Sequence, residues 1–124
     1  MIQKGSYLNV VDNSGVKQIS CLHIVGGYRK RYAKLGDLII ASVKSIRFKE
    51  DMKVKKGSVV KALVIKTKIF NKILNSPTKF FHNSAVLLTN QNKFYGNKIF
   101  GALSKNFRYT KYSKVISLAS GIIK

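Results

Sequence analysis

Ser6 to Gly27 reads SYLNVVDNSGVKQISCLHIVGG, and this stretch sets the fold class. Two runs rich in Val, Ile, Leu and Tyr flank Asp12-Asn13-Ser14-Gly15. Asp and Asn can bond their own backbone two residues on, and Gly supplies a positive φ, so the four together form a tight turn. The reading is a first strand from Ser6 to Val11 and a second from Val16 to Val25, stopped by Gly26-Gly27. Outward from there, turn signals recur at a spacing of roughly ten residues, which is the rhythm of an all-β barrel or sandwich. A third strand is expected over Leu38 to Phe48, a fourth over Val59 to Phe70 and a fifth over Ala85 to Thr89. In the third, Ile39, Ala41 and Val43 share one face, while Ile46 and Phe48 fall on the opposite parity. A bulge near Lys44-Ser45 would return all five to a common apolar face. The polar second half of the fourth strand and the turn at Asn75-Ser76-Pro77 predict a hairpin arm over residues 66–81. Beyond Asn90-Gln91-Asn92 the pattern changes. Phe100, Leu103 and Phe107 recur at helical spacing, predicting a short helix that Ser104 could cap and that reaches Tyr109. The apolar tail Val115-Ile116-Ser117-Leu118 is expected to dock on the barrel.

A chain of 124 residues suits one domain, and 45% apolar residues can build a core. We therefore expect one domain over 1–124: a barrel over about 1–90 that includes the arm, then a C-terminal segment over about 98–124. The charge is unusual. Lys and Arg number 24 against four acids, Asp12, Asp37, Glu50 and Asp51, for a formal +20. Such a chain repels itself and seeks a polyanion, which for a basic globular domain points to nucleic acid. Membrane binding would need a basic amphipathic helix or an anchor motif, and neither is present. No run of 18 apolar residues occurs that could span a bilayer. A single cysteine, Cys21, excludes an internal disulfide. Met1 to Ser6 has neither the apolar core of a signal peptide nor an Arg/Ser-rich amphipathic pattern, so no leader is expected. Lys outnumbers Arg 20 to 4, and Lys, Asn, Ile, Phe and Tyr supply 55 of 124 residues. Phosphate contact does not demand Lys over Arg. All five have AT-rich codons, which points to an organelle genome or an AT-rich bacterium.

Catalysis needs groups poised to exchange protons, and the four acids form no pair. Asp12 and Asp37 read as turn formers, and Glu50 and Asp51 as parts of a solvated basic loop. Cys21 and His23 would share a face of a strand at i and i+2, with His82 the only spare third group. Cys21 is expected to be buried and inert. One Cys and two His without clustered carboxylates make a metal site improbable on chemical grounds, and Gly26-Gly27 lacks the third glycine and the helix of a phosphate-cradling loop. No cofactor or small-molecule substrate is expected.

The basic clusters point elsewhere. Arg29, Lys30 and Arg31 stand between Tyr28 and Tyr32; Lys53, Lys55 and Lys56 form a second group; Arg108, Lys111 and Lys114 form a third beside Tyr109 and Tyr112. Lys44, Lys66, Lys68 and Lys98 complete the candidate set. Cations position phosphates and aromatics stack on unpaired bases. A surface neutralising about six phosphates should lose roughly 10³-fold in affinity between 50 and 200 mM salt.

Taken together, these residues resemble the universal large-subunit ribosomal protein L-fourteen family over nearly the whole chain. Met1-Ile2-Gln3, Leu8-Asn9-Val10 and Asp12-Asn13-Ser14-Gly15 are similar to its first hairpin. Gly26-Gly27, Arg31-Tyr32-Ala33 and Gly36-Asp37 match its basic loop, and Lys53 to Gly57 with Lys61 to Lys68 its fourth-strand signature. Phe80, Asn83, Val86 and Leu87 match the return strand; Ile99-Phe100-Gly101 and Lys114 to Ala119 match the C-terminal segment. The resemblance implies a small closed five-stranded antiparallel barrel with a projecting hairpin arm and a short helical C-terminal segment. It also implies binding to large-subunit rRNA, a place at the subunit interface and a bridge to small-subunit rRNA. The arm, with Phe70, Lys72, Ile73, Leu74 and Asn75, is implied to meet a neighbouring protein of the L-nineteen type. Factors that control subunit joining or silence the subunit are implied to use the same surface. The chain departs from the family at the arm's turn, where Leu74-Asn75 replaces the usual Asp-Gly, and in a loop from Arg47 to Met52 that is two residues longer. Ala102, Asn106 and Ser120 stand where Pro, Glu and Pro are usual. Composition and the lack of a leader then suggest a mitochondrial matrix protein, organelle-encoded, with a plastid or a bacterial cytoplasm as alternatives. A free-standing single-stranded nucleic-acid-binding barrel and a small Cys/His enzyme are the rival classes.

Overall fold

The computed structural model describes residues 2–47, 54–68, 71–73, 76–78, 82–104, 107, 112 and 114–123. Five strands close a barrel: β1 (Tyr7–Val10), β2 (Val16–Ile24), β3 (Leu38–Ile46), β4 (Val59–Lys66) and β7 (Ser84–Leu88). Neighbours are antiparallel, except that β1 meets β7 in parallel through Asn9 opposite Ser84 and Val10 opposite Ala85. Closure removes the exposed sheet edges that an open sheet would carry. Between β4 and β7, β5 (Asn71–Ile73) and β6 (Ser76–Thr78) pair with each other as a separate hairpin. The chain ends in β8 (Ile99–Ser104), α1 (Lys114–Leu118) and β9 (Ala119–Ile123), with β8 and β9 parallel to one another.

The barrel is filled from one face of each strand. Leu8 and Val10 of β1, Ile19 and Cys21 of β2, Ile39, Ala41 and Val43 of β3, Val60, Ala62 and Val64 of β4, and Ala85 and Leu87 of β7 make one cluster. A second cluster lies on the opposite face of β4 and β7. There Leu63, Ile65, Val86 and Leu88 are covered by Ile99, Leu103, Phe107 and Val115. These two strands are therefore buried on both sides, which explains their near-continuous apolar sequences.

The bulge expected at Lys44 is present. Gln18 faces Ser45 and Ile19 faces Val43, so Lys44 has no opposite number. Two more residues, Lys17 and Leu22, are skipped in the β2–β3 register, and all three are exposed. The common apolar face does not follow, however: Ile46 is 38% exposed, lying opposite Val16 near the open end of β3. Phe48 lies outside the described residues.

The helical spacing read from Phe100 is corrected at its start, while the stretch that Ser104 could cap, up to Tyr109, lies outside the described residues except for Phe107. Residues 99–104 are a strand, because β9 returns alongside β8 and supplies a ladder that local periodicity cannot reveal. Gly101, at φ +88°, interrupts the register between Ile99 and Ala102. That irregularity leaves Phe100 49% exposed while Leu103 is fully buried. A short helix of the C-terminal segment forms at Lys114–Leu118, where the apolar tail docks through Val115.

Candidate nucleic-acid interface

The loop joining β2 to β3 carries the first basic cluster, and its shape has local causes. Gly26 and Gly27 both hold positive φ, at +89° and +92°, and turn the chain sharply off the end of β2. Arg29 follows at φ +55°, a left-handed conformation costing a non-glycine residue about 1 kcal/mol. The far side of the loop is tied down. Ala33 and Ile2 exchange two backbone hydrogen bonds of 2.7 and 3.0 Å, and the Lys34 amide donates to Asp37 Oδ2 at 2.7 Å. Lys30 Nζ lies 3.0 Å from the same carboxylate oxygen. The acid expected to form a turn thus also neutralises the middle cation of the cluster. Tyr28, Arg29, Arg31 and Tyr32 are exposed, with the Arg29 guanidinium 5.3 Å from the centre of the Tyr28 ring.

Lys55 and Lys56 are exposed on the loop joining β3 to β4. The two clusters therefore leave opposite ends of β3, whose nine residues span roughly 30 Å at about 3.3 Å each. Lys44 is exposed on the strand between them. Near the first end, Lys66 closes β4 and reaches the backbone of Gly101, where an added Cβ would stand 2.5 Å from its Nζ. Burial there pushes its ammonium below its ordinary value. Lys68 is exposed, and its amide donates to Asn83 Oδ1 at 2.9 Å, which ties the two roots of the arm together. Lys98 and Lys114 are exposed on the C-terminal segment. Lys72 and Ile73 lie in β5. Lys53, Phe70, Leu74, Asn75, Arg108 and Lys111, with Glu50, Asp51 and Tyr109, lie outside the described residues.

Sequence reasoning passed over other exposed cations: Lys4, Lys17, Lys34, Arg47 and Lys93. Lys4, Lys17 and Lys93 stand apart from other cations in the sequence, whereas Lys34 ends the basic loop that begins at Tyr28. Lys17 is exposed and is skipped in the β2–β3 register. Among the described residues Lys30–Asp37 is the one ion pair.

The rival chemistry is not assembled. Cys21 points into the barrel core and burial pushes its thiol up, whereas His23 is exposed. The skipped residue Leu22 breaks the i, i+2 alternation that would have put them on one face. His82 is exposed on the approach to β7. Asp12 is buried and committed to hydrogen bonds from Ser14 and from the Leu87 amide. No group of three or more His, Cys, Asp or Glu residues among those described could hold a metal ion.

In a comparison with protein families, the model described as Ribosomal protein L14p/L23e matches residues 1–123.

Proposed function

We propose, from the premise that this chain belongs to the Ribosomal protein L14p/L23e family, that its two basic ends grip separate stretches of large-subunit rRNA. Membership makes the protein a structural constituent of the large ribosomal subunit that binds rRNA and serves translation, in a family of structural proteins and not of enzymes. The observation that carries the finer reading is the placement of exposed cations at both ends of β3, of which only Lys30 is ion-paired among the described residues. Arg29 and Arg31 hold phosphates at one end while Tyr28 and Tyr32 lie against sugar or base. Lys55 and Lys56 hold phosphates at the other, with Lys44 between. Lys66, Lys68, Lys98 and Lys114 extend the contact, and the sequence adds Lys53, Arg108 and Lys111. Lys30 contributes least, because Asp37 already holds its ammonium.

The same reading puts the protein at the subunit interface, bridging to small-subunit rRNA. The arm between β4 and β7, through Phe70, Lys72, Ile73, Leu74 and Asn75, meets a neighbouring large-subunit protein of the L-nineteen type, and subunit-joining or silencing factors share that surface. The AT-skewed composition supports a mitochondrial ribosome, with a plastid or bacterium as the alternative source. Sedimentation through sucrose gradients at rising salt tests the core of this. Wild-type protein is expected to stay in the large-subunit peak at moderate salt. The double variant Arg29→Ala, Arg31→Ala should leave it at lower salt, and Lys30→Ala should shift release less. Protein found only at the top of the gradient would overturn the assignment.

A further inference from the structure

The tip of the β2–β3 loop is arranged for more than charge. Tyr28 is 90% exposed, the most exposed large apolar side chain described. One face of its ring is already occupied by the Arg29 guanidinium, 5.3 Å from the ring centre. In an extended chain, neighbouring side chains point to opposite sides. Here Tyr28 and Arg29 lie in a turn, with Arg29 at φ +55°, and the guanidinium stands over the ring. The scaffold below is fixed by Asp37, which takes both the Lys30 ammonium and the Lys34 amide, and by the backbone exchange between Ala33 and Ile2. Lys30 also packs its stem within 3.7 Å of the space a Cβ on Gly27 would fill, closing the loop on itself. What remains directed outward is a ring with one open face, a guanidinium on the other, and Arg31 nearby.

We propose that Tyr28 and Arg29 form a stacking platform for one unpaired RNA base, with Arg31 holding an adjoining phosphate. This deepens the rRNA-binding reading and rests on it. A paired A-form helix shows no open base faces along its length, and its major groove is too deep and narrow for side chains to read. A bulged, looped-out or terminal base does offer a face, and stacking accepts any base because all have one. A stacked cation on the far side of the ring adds attraction for the ring and holds its orientation. The platform therefore selects for an unpaired nucleotide and not for a sequence.

The test uses the full-length protein and two hairpin RNAs, one with a fully paired stem and one with a single unpaired 2-aminopurine in that stem. Binding is expected to quench the 2-aminopurine fluorescence, and the bulged RNA should bind more tightly. Tyr28→Leu should weaken binding of the bulged RNA by about ten- to a hundredfold. It should leave the paired RNA and the salt slope unchanged, since no charge is removed. Tyr28→Phe should restore the quenching. Because Tyr28 is almost wholly exposed, both variants should keep the wild-type circular dichroism and melting temperature. Equal binding of the bulged RNA by wild type and Tyr28→Leu, with a normal salt slope, would overturn the platform while leaving RNA binding intact. Failure to bind either RNA would overturn both readings. If Tyr28→Leu instead releases a neighbouring protein from the assembled subunit with rRNA contacts unchanged, the tip faces protein and the platform is refuted.

Discussion

Both carboxylate oxygens of Asp12 accept hydrogen bonds: Oδ1 from the Ser14 amide at 3.1 Å and the Ser14 hydroxyl at 2.5 Å, and Oδ2 from the Leu87 amide at 3.0 Å. The sequence identifies only the first role, because a turn-forming Asp is read from its neighbours and Leu87 is 75 residues away. Next to it, Asn13 Oδ1 accepts from the Asn97 amide at 2.9 Å, and its side-chain amide donates to Asn97 Oδ1. The first turn thus pins both the closing strand of the barrel and the start of the C-terminal segment. Gly96 fits beneath it, since an added Cβ would collide with Asn13 Oδ1 and stand 3.1 Å from Asp12 Cβ. Were Asp12 only a turn former, Asn would replace it without loss, as both residues make such turns. Its second oxygen changes that. In Asp12→Asn one of the two sites becomes an NH₂ group facing an N–H donor, so Asn should destabilise nearly as much as Ala. Each variant is expected to cost about 1–3 kcal/mol for an unpaired buried donor. Urea unfolding of Asp12→Asn and Asp12→Ala checks this, and an Asn variant as stable as wild type would refute the cross-barrel role.

At the scale of elements, β8 offers the sharpest comparison, because helix and strand predict different burial for the same residues. A helix would place Phe100, Leu103 and Phe107 on one buried face; in the strand, Phe100 is half exposed while Leu103 is buried. Leu103→Ala should therefore cost about 2–5 kcal/mol, the range for a large buried aliphatic truncated in a core. Phe100→Ala should cost well under half of that, and equal losses at the two sites would contradict the strand. The contrast also marks where the sequence could be read and where it could not. Strands β1 to β3 and β7 were legible because turn residues bound them and they carry apolar runs, whereas β4, expected to reach Phe70, ends at Lys66 with no turn residue to mark it. The Lys44 bulge was legible because parity switches within one strand. The Leu22 bulge was not, since Cys21, Leu22 and His23 give no parity signal, and that bulge is what parts Cys21 from His23. Nor was β8, whose partner β9 begins 15 residues after it ends and joins in parallel. The basic clusters were legible as charge, but the capture of Lys30 by Asp37 needed the loop's three-dimensional path.

For the molecule as a whole, salt should act in opposite directions on folding and on binding. The chain carries +20, and among the described residues its only ion pair is Lys30–Asp37. The two described acids are both spoken for, Asp12 by backbone and hydroxyl donors and Asp37 by Lys30 and the Lys34 amide. In the free protein, compaction brings many like charges together, and the resulting repulsion is screened as the Debye length falls from about 30 Å at 0.01 M salt to about 10 Å at 0.1 M. Its melting temperature should therefore rise with salt. RNA binding depends on counterion release and should weaken over the same range, by roughly 10³-fold between 50 and 200 mM if about six phosphates are neutralised. At low salt, RNA at a hundred times its dissociation constant should stabilise the fold by about 2.7 kcal/mol through mass action. The RNA-induced rise in melting temperature should then shrink as salt increases, even while the free protein becomes more stable. Scanning calorimetry with and without a short RNA hairpin, at 50, 100 and 200 mM salt, measures both trends at once. A free protein whose melting temperature falls with salt would mean that unfavourable charge is not what limits it. An RNA shift that does not depend on salt would mean that the exposed Lys and Arg side chains are not what holds the RNA.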